Sequence, residues 1–423
     1  MNPAANYPRY RYLLLAVFML ATIAIEIQWL THAAVARPAE AFYAGQFNSD
    51  SFFNIDFLAM LYMLVFLVMS FPASYIIDKY GIKTGIGMGA ALLGLFSLIK
   101  AIFATNYLGV VLAQTGLAIA QPFLLNAVTA FSARWFALKE RALVAGFLSL
   151  AQYLGIIISM LVTPRLVGSD PGLPGYGSGF EKMLWIYAAF SVLSALLVVL
   201  FMKEEPGNIP YRVNEKTSFS SGIRTILGKR DMRLIVVLFL IGLGIFNAIS
   251  SMTDSISEYL GISDSDGLVG GFMLIGGIVG AIILPLLSDR FMIRKPFIVI
   301  CLAGMAPGVT GIALAGSIGT GPEQAYHIAL ASSFILGFFV MSAGPIGFQY
   351  AAEVSFPSPE SISQGILLWV GQLTGMILVA GMSMKNNAYL GGFMNVFIVM
   401  SFIALLISIF LRESPAMNKA RIE

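Results

Sequence analysis

"YIIDKYGIKTG", residues 75–85, sets Asp78, Lys79 and Lys83 within six positions between two long apolar runs. Charges so tightly bracketed by greasy sequence mark a place where the chain leaves a nonpolar medium, turns in water and re-enters. That reading predicts a hydrophobic segment of membrane length on each side, and the sequence supplies both: 57–77 before the turn and 84–104 after it.

The same pattern extends along the whole chain. Of 423 residues, 58% are hydrophobic and 11% charged, with mean hydropathy +0.84; a soluble domain carries about 25% charged residues. Further apolar runs cover 13–36, 107–131, 142–164 and 183–202, then 234–257, 267–287, 297–318, 326–350, 363–384 and 389–411. Each is long enough to cross a hydrocarbon core of about 30 Å as a helix. The expected fold is therefore an all-α integral membrane protein of twelve spans. The first run is too long for a cleavable signal and counts as span one.

Basic residues orient the bundle. With the N-terminus inside, 20 of the 25 Lys and Arg residues fall on the cytoplasmic side, leaving Arg37, Lys100, Arg165, Lys182 and Lys385 opposite. The expectation is a cytoplasmic (inner or plasma) membrane protein with both termini in the cytoplasm. The net charge of +3 reflects this topology. Spread over many short loops, it forms no stripe for nucleic acid.

Residues 203–232 form the long polar segment and divide the chain into 1–202, a cytoplasmic linker, and 233–423. Across that linker the sequence echoes itself. "DKYGIK" at 78–83 returns as "DRFMIR" at 289–294, and Phe136, Glu140, Leu148, Gln152 and Gly155 recur 220 positions later as Phe356, Glu360, Leu368, Gln372 and Gly375. A duplicated six-span unit predicts two pseudo-symmetric bundles that rock about a site at mid-depth. The turns carrying Asp78, Lys79 and Lys83, and Asp289, Arg290 and Arg294, then occupy equivalent cytoplasmic places. There an Asp can meet the positive end of a neighbouring helix and nearby bases, forming a gate.

The charged turn, the six-plus-six layout and the linker resemble the major facilitator superfamily. That family's loop pattern reads Gly, three residues, Asp, base, any, Gly, base; here Ser74 replaces the first Gly, and Met292 replaces the Gly of the second copy. A narrower resemblance is to the feline leukaemia virus subgroup C receptor-related transporters, carriers of haem and of choline or ethanolamine. It rests on "IQWL" at 27–30, "IDFLAMLYMLVFLVMSFPASYIID" at 55–78, "AIAQPFLL" at 118–125, "RWF" at 134–136 and "GFQYAAEVSFPSPESISQGILLWVGQLTG" at 347–375. This resemblance implies that Trp29, Gln121 and Gln372 line a substrate cavity, with Ile25 in the place of a cavity Asn and Asn247 in that of a cavity Tyr.

Several polar residues stand out inside the spans. Glu26 lies mid-span, where a carboxylate costs about 2.5–3.5 kcal/mol on insertion scales, so such acids face an interior and act there. Withdrawal from water penalises the charged form of any carboxyl, which suits either proton coupling or attraction of a cationic substrate. Trp29 shares that helix face with Thr22 and could hold a quaternary ammonium by cation–π attraction. His32, one turn further out, reads as an interface residue and secondarily as a proton partner. In span seven Asn247, Ser250, Ser251, Asp254 and Glu258 form a polar stripe, with Asn247 and Ser250 deep enough for substrate and Asp254 placed for proton coupling or an outer gate. Gln121, Gln152 and Gln372 offer amides from both halves, and Gly276 with Gly280 reads as close helix packing. Cys301 reads as a small buried hydrophobe.

Two His and one Cys support no metal centre, and the chain has no phosphate-binding loop or soluble domain for ATP hydrolysis. No cofactor and no enzymatic activity are expected. The sequence points to a monomeric secondary carrier in the lipid bilayer moving a small organic solute by alternating access. The first candidate is a choline-like amine or other small cation, with protons as a possible coupling partner. An amino-acid or other nutrient proton symporter, and a haem or iron-chelate exporter, remain open alternatives. A channel or a non-transporting receptor is the distant one.

Overall fold

A computed structural model describes residues 8–47, 53–136, 138–169, 172, 174–205, 224, 226–262, 264, 267–356, 358 and 360–415. Helices account for the regular structure among these residues. Twelve are long and apolar enough to cross a membrane, and they match the twelve expected runs one for one. Spans 1–6 are Tyr10–Leu30, Phe57–Tyr80, Ile82–Ile102, Tyr107–Trp135, Val144–Leu166 and Phe180–Phe201. Spans 7–12 are Arg230–Ser251, Leu268–Phe291, Lys295–Ile318, Pro322–Ser355, Ile362–Met384 and Leu390–Ile409. The expected linker ends earlier than its composition suggested, because span 7 is already helical from Arg230; residues 206–223 and 225 of that linker lie outside the described residues.

Large apolar side chains such as Leu108, Leu112, Leu200, Leu406 and Phe410 remain exposed on the outside of the bundle. In water that would be a liability; against lipid it is the expected surface.

The opening turn is built around Gly81, whose φ of 97° an L side chain rarely adopts. Its N–H still bonds the Ile77 carbonyl at 3.0 Å, so span 2 closes and span 3 starts with almost no intervening loop. The start of span 3 is held from far away: Glu204, just past span 6, accepts the N–H groups of Ile82 at 3.2 Å and Lys83 at 2.8 Å and pairs with Arg134. The second half repeats the device. Glu413, just past span 12, accepts the N–H groups of Arg294 at 2.8 Å and Lys295 at 3.3 Å at the start of span 9. An acid at a helix N-terminus is favourable both for its orphan donors and for the macrodipole. Sequence reading singled out the Asp residues of the turns for meeting a neighbouring helix N-terminus; at the start of span 3 Glu204, outside the turn, is one such acid.

Within the turns, Asp78, Lys79, Lys83 and Arg290 are exposed. Lys79 donates to the Tyr75 hydroxyl at 2.7 Å. Arg294 is the buried member and joins Asp289, Ser288 and Glu353.

Span 7 departs from expectation. Its helix stops at Ser251, Met252 breaks it, and a separate short helix covers Thr253–Tyr259. The stripe from Asn247 to Glu258 is therefore not one continuous face. Glu258 is exposed, and the side chain of Asp254 lies outside the described residues.

Gly276 and Gly280 do what their spacing suggested. A Cβ on either would run into the backbone carbonyls of Phe334 and Phe338 in span 10, so spans 8 and 10 touch backbone to backbone. Met292, where the second copy lacks its Gly, sits in the left-handed region at φ 55°, ψ 44°. Such a conformation costs a non-Gly residue about 1 kcal/mol. Met292→Gly should therefore raise stability by up to about 1 kcal/mol, measured as a higher thermal midpoint of the detergent-solubilised protein; a lower midpoint would show that the methionine side chain contributes more than its backbone costs.

Candidate functional site

Between the two halves lies a cavity whose wall draws on spans 1, 4 and 5 from the first half and spans 7, 9, 10 and 11 from the second. Glu26, Trp29, Gln121, Asn247 and Gln372, expected from sequence, all stand in this wall, as does Gln152. Glu26 is the one charged residue among those that line it.

Helix contacts explain how the acid reaches this place. Gly155 of span 5 packs so closely on span 1 that an added Cβ would press on the Ile23 carbonyl and the Cβ of Glu26. Glu26 is consequently 2% exposed and hydrogen-bonded by the Gln121 side chain, whose own carbonyl oxygen lacks a partner. The second half repeats the geometry with a neutral group: Gly375, the echo of Gly155, packs against the Cβ of Asn247. Asn247 donates to Gln372 Oε1 at 3.3 Å and to the Gly371 carbonyl at 3.5 Å. Acid on one side and amide pair on the other thus occupy equivalent positions of the duplicated unit.

Trp29 lines the cavity while its Nε1 donates to the Ala59 carbonyl at 3.1 Å. Four further aromatic side chains complete the wall, Tyr153, Phe239, Phe246 and Phe348. Sequence reading missed them. Tyr153 and Phe246 adjoin chosen residues, Gln152 and Asn247, but nothing in their own spacing separates an inward ring from one facing lipid. Cys301 also lines the cavity, in addition to being buried as expected.

Two polar residues named in the sequence stand outside this wall. Ser250 is buried with an unpartnered hydroxyl and is not among the residues that line the cavity. Thr22 spends its hydroxyl on the Phe18 carbonyl of its own helix at 2.9 Å and is not a wall residue either.

Tyr153 also joins the halves. Pro345 has no N–H to give the carbonyl four residues earlier, that of Met341. The Tyr153 hydroxyl donates to that carbonyl at 3.3 Å from across the cavity. Elsewhere along the seam Trp369 Nε1 donates to the Leu67 carbonyl at 2.9 Å, and Gln364 reaches the Leu125 carbonyl at 3.5 Å.

These features, two bundles joined at a central cavity, match known proteins. Residues 13–379 fit the model of the Major Facilitator Superfamily. The chain belongs to that superfamily and is a transporter. Among its relatives are the zebrafish choline/ethanolamine transporter flvcr2b, 26% identical over 392 residues, 89% of this chain and 78% of that one, and the cat choline/ethanolamine transporter FLVCR1, 24% identical over 90% of this chain and 68% of that one. A solute carrier family 49 member A3 from Xenopus tropicalis is 27% identical over 87% of this chain and 76% of that one. In fold, the chain is similar to the Major Facilitator Superfamily transporter FucP in its outward conformation, with TM-score 0.69 and 16% identity over 96% of this chain and 99% of that one. The narrower resemblance read from sequence is thus supported by relatives that span most of the transporter.

His32, just past the end of span 1, is buried between Tyr43 and Phe180, its ring stacked on the latter at 6.1 Å, with neither nitrogen hydrogen-bonded. Burial, reinforced by the charge of Lys100, holds it well below the ordinary imidazole range. It is therefore neutral in the folded transporter and takes a proton only on unfolding, so the stability it contributes is full above about pH 6.5 and is lost as pH falls. In His32→Phe the drop in melting temperature between pH 7.5 and 5.5 should be smaller than in the wild type; an equal drop would remove His32 from the acid response.

The bond from Tyr153 to Met341 predicts a second effect. Tyr153→Phe removes one neutral hydrogen bond, worth about 1 kcal/mol, and should shift the populations with spans 5 and 10 apart about fivefold, read as a change in spin-label distances between the two spans.

Proposed function

We propose that this transporter is a secondary carrier that moves a choline-like amine through the membrane by alternating access of the central cavity. The observation that carries the reading is the cavity wall itself, in which a solitary carboxyl, Glu26, stands with the rings of Trp29, Tyr153, Phe239, Phe246 and Phe348. A quaternary ammonium needs an opposite charge and aromatic faces, and each ring contact is worth about 2 kcal/mol when desolvated. The amides of Gln121, Gln152, Asn247 and Gln372 are suited to the hydroxyl end of such a molecule. The names of the choline/ethanolamine relatives agree with this assignment.

The same wall argues against a haem or iron-chelate cargo, because it offers no base to meet carboxylates. A small amino acid is the second reading: Glu26 would meet its ammonium group and the Asn247–Gln372 pair its carboxylate. A coupled proton would travel on the Glu26 carboxyl. We further assign residues 1–202 and 233–423 to the two rocking halves, the termini to the cytoplasm and the working state to the monomer. The echoes of Gly155 with Gly375 and of Glu204 with Glu413 support the division, and the basic residues support the orientation.

The test is counterflow in proteoliposomes with labelled choline and labelled small amino acids. Choline should exchange in the wild type, and exchange should fall at least tenfold in Glu26→Gln. Trp29→Ala should weaken it far more than Trp29→Phe. Unchanged exchange in Glu26→Gln, or exchange of amino acids alone, would overturn the choline assignment. Uptake driven by a pH gradient that survives Glu26→Gln would place the proton elsewhere.

A further inference from the structure

Behind Trp29, away from the cavity, lies a buried polar cluster. Span 1 ends at Leu30, so the carbonyls of its last turn have no partner within the helix. Side chains supply the partners. Thr31 donates to the Ile27 carbonyl at 2.5 Å. Lys100 of span 3 donates to the Gln28 carbonyl at 3.3 Å and to its side-chain oxygen at 3.1 Å. Gln114 of span 4 directs its amide nitrogen at the carbonyls of Gln28 at 3.2 Å, Trp29 at 3.4 Å and Leu58 at 3.3 Å. Lys100 and Gln114 are both 0% exposed, and neither contributes to the cavity wall.

The pattern of acceptors is informative. Leu58 precedes Ala59, whose carbonyl receives the Trp29 indole N–H. Gln114 thus ties the backbone of Trp29 to the strand of helix that holds the far end of its side chain. The Lys100 amine thus meets carbonyls that the end of span 1 leaves open, on the side of the helix dipole that favours a donor. Without these donors the last turn of span 1 would be free to fray, and the ring would lose its fixed plane.

We propose that Gln114 and Lys100 are positioning residues for Trp29, which set the ring plane against which the substrate's cationic head packs. The substrate part of this inference rests on the choline reading; the placement of the ring does not.

The experiment uses the full-length purified transporter. Gln114→Leu should raise the apparent Kd for choline about tenfold, and the same change on a Trp29→Ala background should raise it less than twofold, because residues acting through one another are not additive. Equal losses on both backgrounds, or none on either, would overturn the proposal. Trp29 emission, taken as the difference between wild type and Trp29→Phe, should shift to the red in Gln114→Leu without any ligand; an unmoved spectrum also overturns it. If Gln114→Leu fails to fold, Lys100→Met is carried through the same two measurements with the same expected outcomes. Should wild-type protein not bind choline, the choline reading fails and the emission measurement still decides the placement of the ring.

Discussion

In hydrocarbon a backbone N–H or C=O without a partner costs several kcal/mol, and at several helix ends and one interruption this transporter meets the same demand for a partner with a side chain. Glu204 and Glu413 supply acceptors where spans 3 and 9 begin. Lys100 and Gln114 supply donors where span 1 ends. Tyr153 supplies one where Pro345 interrupts span 10. In each case the partner comes from a distant part of the chain, so the demands of individual helices are also what fasten the helices to one another.

The duplication gives this arrangement its functional content. Gly155 and Gly375 bring spans 5 and 11 against spans 1 and 7 at matching points, and the residues pressed there are Glu26 and Asn247. A common framework therefore delivers an acid from one half and an amide from the other to a shared cavity. The difference between the halves is chemical, while their packing is alike. Such an inequality gives the cavity an acidic side and a neutral one.

The architecture was legible because length and composition alone demand membrane helices, and because "DKYGIK" and "DRFMIR" mark equivalent turns. Half of the cavity was legible for a related reason: Glu26, Gln121, Asn247 and Gln372 are conspicuous among apolar neighbours, and polarity inside a membrane span is rarely idle. Its aromatic half was not. In a chain with 12% aromatic residues, spans that are apolar on every face give no periodicity by which an inward Phe348 differs from an outward Phe410. The break at Met252 has no Pro or Gly to announce it. Lys100 looked like one more charge at the end of a span, since its acceptors, the carbonyls of span 1, are not written in any side chain.

Cys301 is the single cysteine of the sequence, and its side of span 9 borders the cavity. The transporter thus carries a native chemical tag at its centre. The thiol is buried in this state, so reagents too polar to cross lipid would reach it only where movement of the halves widens the chamber toward the aqueous phase that holds them, and such opening could be followed on the unaltered polypeptide.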